Sequence, residues 1–152
     1  MRMTEIQATI GRVQLKKMPD WHNKRLKNAS IIWNAAMQCK GLRVPYIPNH
    51  IDHAAYKCYV FVRPEYFKKG WNRDRVIIEI NKLGVPCYSG SCSEVYLEKA
   101  FSGNKYRPKR RLTNAKELGE TSLMFLVHPT LTEDEVHLTC DVIISVMELA
   151  TK

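Results

Sequence analysis

Apolar residues recur at helical spacing from the start of the chain. Ile6, Ile10 and Val13 follow Thr4 and Gln7, whose separation makes a capping box. Pro19 predicts a break or a kink in this helix after Met18, because its ring removes a backbone donor and crowds the preceding turn. A second helix is predicted on the face formed by Leu26, Ala29, Trp33 and Ala36 or Met37, stopping near Gly41. A loop with Pro45, Pro48, Asn49 and His50 then leads into residues 56–62, a run of β-formers closed by Pro64.

The second half alternates short helices and strands. Residues 72–83 read as a helix with Val76, Ile77, Ile80 and Leu83 inward and Gly84 as its stop. Residues 85–88 form a short strand, and Ser91 with Glu94 predicts a capping box for a helix running to Phe101. A basic loop, 102–112, precedes a short helix capped by Asn114 and Glu117 and an apolar strand over 122–127. Thr132 and Glu135 open the last helix, which buries Val136, Cys140, Ile143, Met147 and Ala150. This order predicts an α+β fold, a small sheet of about three strands with helices on one face. The whole chain, 1–152, reads as a single domain. A helix starting within four residues of Met1 suggests a piece of something larger.

Composition narrows the class. A chain of 152 residues, 45% hydrophobic and 26% charged, can bury a core, and no stretch has the ~20 apolar residues of a membrane span. The N-terminus lacks an apolar signal core, which places the expected site of action in the cytoplasm. Five cysteines at irregular spacing suit a reducing compartment, and Cys87 with Cys92 is too little for a zinc site. The net charge of +9 favours an anionic partner, such as nucleic acid, an acidic membrane or a phosphorylated small molecule, or is balanced by a large acidic partner or missing domain.

Two segments carry candidate chemistry. Ser89, Gly90, Ser91, Cys92, Ser93 and Glu94 lie between a strand and a predicted helix, where small residues and helix N–H groups could cradle an anion; simple capping by Ser91 is the alternative. Lys105, Arg107, Lys109, Arg110 and Arg111 could grip a diphosphate or a nucleic-acid backbone, or form a solvated loop. His22, His50, His53, His128 and His137 are scattered and suit surface or capping roles. No Walker loop, dinucleotide fingerprint, nucleophile elbow or nucleic-acid-binding signature is present. The fourteen lysines come without the acidic partner, aromatic plane and phosphate cup that a Schiff-base lysine needs.

Residues 2–15, RMTEIQATIGRVQL, resemble the segment N-Y-R-M-x-E-x-Q-A-A-I-G-x-x-Q-L of the DegT/StrS-type sugar-nucleotide aminotransferases. Gly84-Val85-Pro86, Ala115-Lys116-Glu117-Leu118 and His128-Pro129-Thr130-Leu131-Thr132 extend the resemblance over nearly the whole chain. The resemblance implies the small domain of a fold-type-I enzyme that depends on pyridoxal phosphate (PLP). Such enzymes move an amino group from glutamate to a nucleotide-linked keto sugar, for surface polysaccharides such as lipopolysaccharide or for glycosylated metabolites, and act as homodimers. The family's cofactor lysine, its pyridinium-binding Asp and most of its phosphate cup lie upstream of the matched segment. The chain is therefore expected to be a C-terminal fragment with no catalytic residue, no metal and no cofactor of its own, its partner a missing N-terminal PLP domain. By the same resemblance, Arg2 would lie near the cofactor at a dimer interface. Tyr88, Ser89, Ser91 and Ser93 would face the substrate, and Arg107 and Arg110 the nucleotide diphosphate. Cys87-Tyr88 stands where many relatives have His-Tyr. The other readings are a non-enzymatic basic module for nucleic acid or another polyanion, and a structural oligomerisation domain.

Overall fold

Thr4 accepts from the Gln7 amide while the Gln7 side chain returns to the Thr4 amide, so the first helix starts where its capping box predicts. The computed structural model describes residues 2–103 and 105–152. Helix α1 spans Glu5–Met37 without a break, with Pro19 inside it. The expected division into two helices is thus corrected. Proline's φ suits a helix, and the turn before it lies on an exposed arm where water can serve the orphaned carbonyl. Only the second half of α1 is buried, through Ala29, Ile32, Ala35 and Ala36.

Four antiparallel strands follow in the order β1-β2-β4-β3: β1 is Leu42–Arg43, β2 is Cys58–Val62, β3 is Cys87–Tyr88 and β4 is Ser122–Phe125. The α+β class stands, and the strand beyond the expected three is the two-residue β1, too short to carry a pattern. Along β2 the alternation is clean. Cys58, Val60 and Val62 face the core while Tyr59 and Phe61 face the other side. β4 lies between β2 and β3 and is buried along its whole length.

Helix α2 (Arg73–Lys82) is capped by Asn72, and α4 (Glu133–Ala150) by the expected reciprocal Thr132–Glu135 box. Val76 and Ile80 from α2 join Val136, Ile143, Val146 and Met147 from α4 in one core with Ile32, Val60, Leu123 and Phe125. Helix α3 (Thr113–Thr121) sits at the opposite side of the sheet. Its Glu117 accepts from Arg43 at 3.1 Å, and the same guanidinium stacks over Phe61 at 4.3 Å. Its N-cap is Leu112 with no side-chain bond, so the Asn114–Glu117 cap does not form.

Candidate functional site

The residues between β3 and α3 replace the helix expected over 91–101 with two single 3₁₀ turns, Val95–Leu97 and Lys99–Phe101. Glu94 does not cap. Its carboxylate takes two bonds from Arg111, the shorter at 2.5 Å, and one from the Tyr96 hydroxyl at 2.6 Å. Charge-assisted bonds to a guanidinium outweigh a neutral cap, which explains why the local capping signal fails here. The Arg111 and Tyr96 bonds hold the Glu94 carboxyl below the usual carboxylate range. The Tyr96 oxygen also accepts from the Leu112 amide at 2.9 Å, so one cluster ties the turn to the end of the basic loop. The expected cradle of amides at a helix N-terminus is therefore absent.

The turn 89–93 is held from three sides. The Ser122 hydroxyl donates to the Ser89 carbonyl at 2.6 Å, and the Ser91 amide donates to the Tyr59 hydroxyl at 3.3 Å. Gly90 has φ of 89°, and a Cβ there would stand 2.5 Å from the Tyr59 ring. Ser93 packs against Gly119 of α3, where a Cβ would collide with its hydroxyl. One level below, the Asn81 side-chain amide donates to the Cys87 carbonyl at 2.7 Å and accepts from the Cys87 amide at 3.3 Å. That exchange pins β3 to α2.

These contacts shape a cleft of about 510 Å³ between the turn and α3. Ser89, Ser91 and Ser93 line it, together with Arg73, Lys99, Arg111, Lys116, Glu98 and Glu120. Arg73 is already engaged, with Asp74 at 2.7 Å and the Ser122 carbonyl at 3.2 Å, and Arg111 is held by Glu94. The groups left to meet a ligand are serine hydroxyls and the Lys99 ammonium, which suits a hydroxylated or anionic small molecule. The cleft does not by itself fit PLP. Its lining has no aromatic plane, and Lys116 faces Glu120 at 3.9 Å.

The remaining expected residues lie elsewhere. Tyr88 is half-exposed at the end of β3, outside the cleft lining. Arg107 and Arg110 belong to the basic loop but do not reach the cleft, which Arg111 enters instead. Arg2 is exposed ahead of α1. Cys92 is exposed and its thiol donates to Glu98 at 3.4 Å, whereas Cys87 is buried and burial pushes its thiol up to about 12. No group of three or more His, Cys, Asp or Glu side chains placed to hold a metal ion occurs among the described residues. No described helix is long and apolar enough to cross a membrane.

Sequence reading missed Tyr59, Arg73, Gly119 and the pairing of Glu94 with Arg111. Tyr59 was visible only as the outward position of a strand, and Gly119 as a glycine inside a helix.

Known proteins share this fold. The sequence profile of the DegT/DnrJ/EryC1/StrS aminotransferase family matches residues 1–144. An aminotransferase from Psychrobacter cryohalolentis is 55% identical and superposes with a TM-score of 0.91, over 97% of this chain and 40% of its own. The sugar aminotransferase CalS13 from Micromonospora echinospora, 15% identical, shares the fold at a TM-score of 0.79 over 94% of this chain and 35% of its own. NtdA from Bacillus subtilis, solved with the bound cofactor PMP, does so at 0.81 and 19% identity, over 97% and 33%. The chain thus spans between a third and two fifths of the length of these proteins. With a profile match over nearly its full length, the chain belongs to the DegT/DnrJ/EryC1/StrS aminotransferase family.

Proposed function

We propose that this chain is the C-terminal small domain of a cytoplasmic, PLP-dependent sugar aminotransferase, and that it does not catalyse alone. The parent enzyme would move an amino group from glutamate to a nucleotide-linked keto sugar. The observation that carries the reading is the family match over 1–144 in a chain that spans 40% of a 55% identical aminotransferase. The sugar aminotransferase and the PMP-bound protein among its structural neighbours support the substrate class and the cofactor. The cofactor supplies an electron sink for amino transfer when bound, and a segment outside this chain would hold it.

This chain's own part would be to bind the substrate. Ser89, Ser91 and Ser93 offer hydroxyl groups to the sugar, on a turn that Tyr59, Ser122 and Gly119 hold still. Tyr88 borders the same region, and Arg107 and Arg110 would meet the diphosphate through movement of the basic loop toward the cleft. Arg2 would sit near the cofactor phosphate of a second subunit in a homodimer.

A chimera tests this. Replacing the matched segment of the Psychrobacter cryohalolentis aminotransferase with this chain should leave a cofactor-binding enzyme that consumes glutamate. The isolated chain mixed with PLP should show no saturable absorbance at about 400–430 nm, the range of lysine imines. A chimera that folds and binds cofactor but transfers no amino group would overturn the reading. Salt-sensitive, micromolar binding of the isolated chain to arbitrary DNA would favour the polyanion module instead.

A further inference from the structure

The loop ahead of β2 carries a backbone anomaly. Ala55 is fully buried with φ of 44°, the one residue other than glycine at positive φ among the described residues. A side chain with a Cβ adopts that conformation only when its surroundings enforce it. The enforcing contact is specific: the Ala55 amide donates to Nδ1 of His53 at 3.1 Å. An amide can only donate, so Nδ1 must present a lone pair and the His53 ring must be neutral, with its proton on Nε2.

Two further contacts hold the imidazole and its backbone. Nε2 of His22, on α1, donates to the His53 carbonyl at 3.0 Å, a bond that His22 can make neutral or protonated. The Trp33 ring meets the imidazole edge-on at 5.9 Å while its indole N–H donates to the Tyr59 carbonyl at 3.1 Å. The charged and titratable neighbours are His50, Asp52, Tyr56 and Lys57 on the loop, His22 and Arg25 on α1, and Tyr59 on β2. Arg25 also donates to the Tyr56 carbonyl at 3.3 Å.

We propose that His53 is a proton-operated latch: the neutral ring closes the 53–55 turn, and the protonated ring releases it. Protonation turns Nδ1 into a donor facing another donor, which leaves a buried amide unpaired and removes the support of a strained residue. The closed state is therefore present at higher pH and lost as pH falls through the titration of His53. The consequence reaches the cleft's neighbourhood. Residues 51–57, Tyr59 and Ser91 line a groove of about 400 Å³ beside the serine turn, so release of the loop opens that groove's wall. The inference does not depend on the aminotransferase reading.

Amide hydrogen exchange resolved by NMR tests it on the chain itself. The protection factor of Ala55, corrected for the intrinsic pH dependence of exchange, should fall by about tenfold or more as pH drops from about 8 to 5, the range in which histidines change charge. In His53→Asn the side-chain oxygen accepts the same amide as an Asx turn without titrating, so Ala55 protection should stay flat over that range. In His53→Ala it should be low at every pH. A flat wild-type profile would overturn the latch, and so would a fall in His53→Asn parallel to that of the wild type.

Discussion

At Gly90 three requirements meet in one backbone position. Its φ of 89° belongs to the left-handed region, a Cβ would press on the Tyr59 ring, and the next amide bonds to the Tyr59 hydroxyl. Gly90→Ala should therefore destabilise the chain by about 1–3 kcal/mol, combining backbone strain with a displaced ring. Urea denaturation gives the difference directly, and an unchanged midpoint would mean that the turn is not clamped. The serine turn itself was legible in the sequence, because small polar residues between two elements announce a close backbone approach. Its supports were not. Tyr59 lies 32 residues from Ser91, and Glu94 lies 17 residues from Arg111, so neither pairing leaves a local trace. The Glu94 error has the same origin. Ser91 and Glu94 do have capping-box spacing, but a guanidinium far along the chain offers the carboxylate a stronger partner.

Elements whose signals are local came out as the sequence implied. The reciprocal bonds of Thr132 with Glu135 start α4, and those of Thr4 with Gln7 start α1. Pro19 sits inside α1 because proline removes one backbone bond without ending the helix. Residues 5–20 of α1 have no buried side chain, so nothing but local propensity supports that arm. Proline in a helix interior costs about 3 kcal/mol relative to alanine. Pro19→Ala should therefore slow amide exchange across residues 5–18 markedly while leaving residues 29–36, anchored in the core, unchanged. Hydrogen exchange read by mass spectrometry separates the two segments. Equal exchange before and after the substitution would show that the arm draws its stability from elsewhere.

The whole molecule combines a packed body with an arm that has nothing to pack against. Residues 5–20 extend about 24 Å at the helical rise of 1.5 Å per residue. Along them Ile6, Ile10, Val13, Leu15 and Met18 are each about half exposed or more, with Ile6 at 75% and Leu15 at 70%. Leu15 and Met18 also join Pro19, Trp21 and Tyr56 around a groove of about 720 Å³. Ile6, Ile10 and Val13 share one side of the helix and Leu15 and Met18 the other, and exposed apolar side chains grouped in this way mark interaction surfaces. Under the proposed assignment these side chains would meet the remainder of a longer enzyme, and in the isolated chain they are left to water. The net charge of +9 opposes association through long-range repulsion, but salt screens that term within about 10 Å at 0.1 M while leaving the apolar contact intact. Association of the isolated chain should therefore strengthen with added salt, the opposite of what an ion-paired interface would do. Sedimentation velocity at tens of micromolar (roughly where weak apolar contacts persist) should show a dimer or larger species that grows between low and moderate salt. Leu15→Glu combined with Met18→Glu places two charges in the groove without touching the core, and should return the chain to a monomer at both salt concentrations. A wild-type chain that sediments as a monomer throughout would mean that the arm folds back or frays rather than presenting its apolar face.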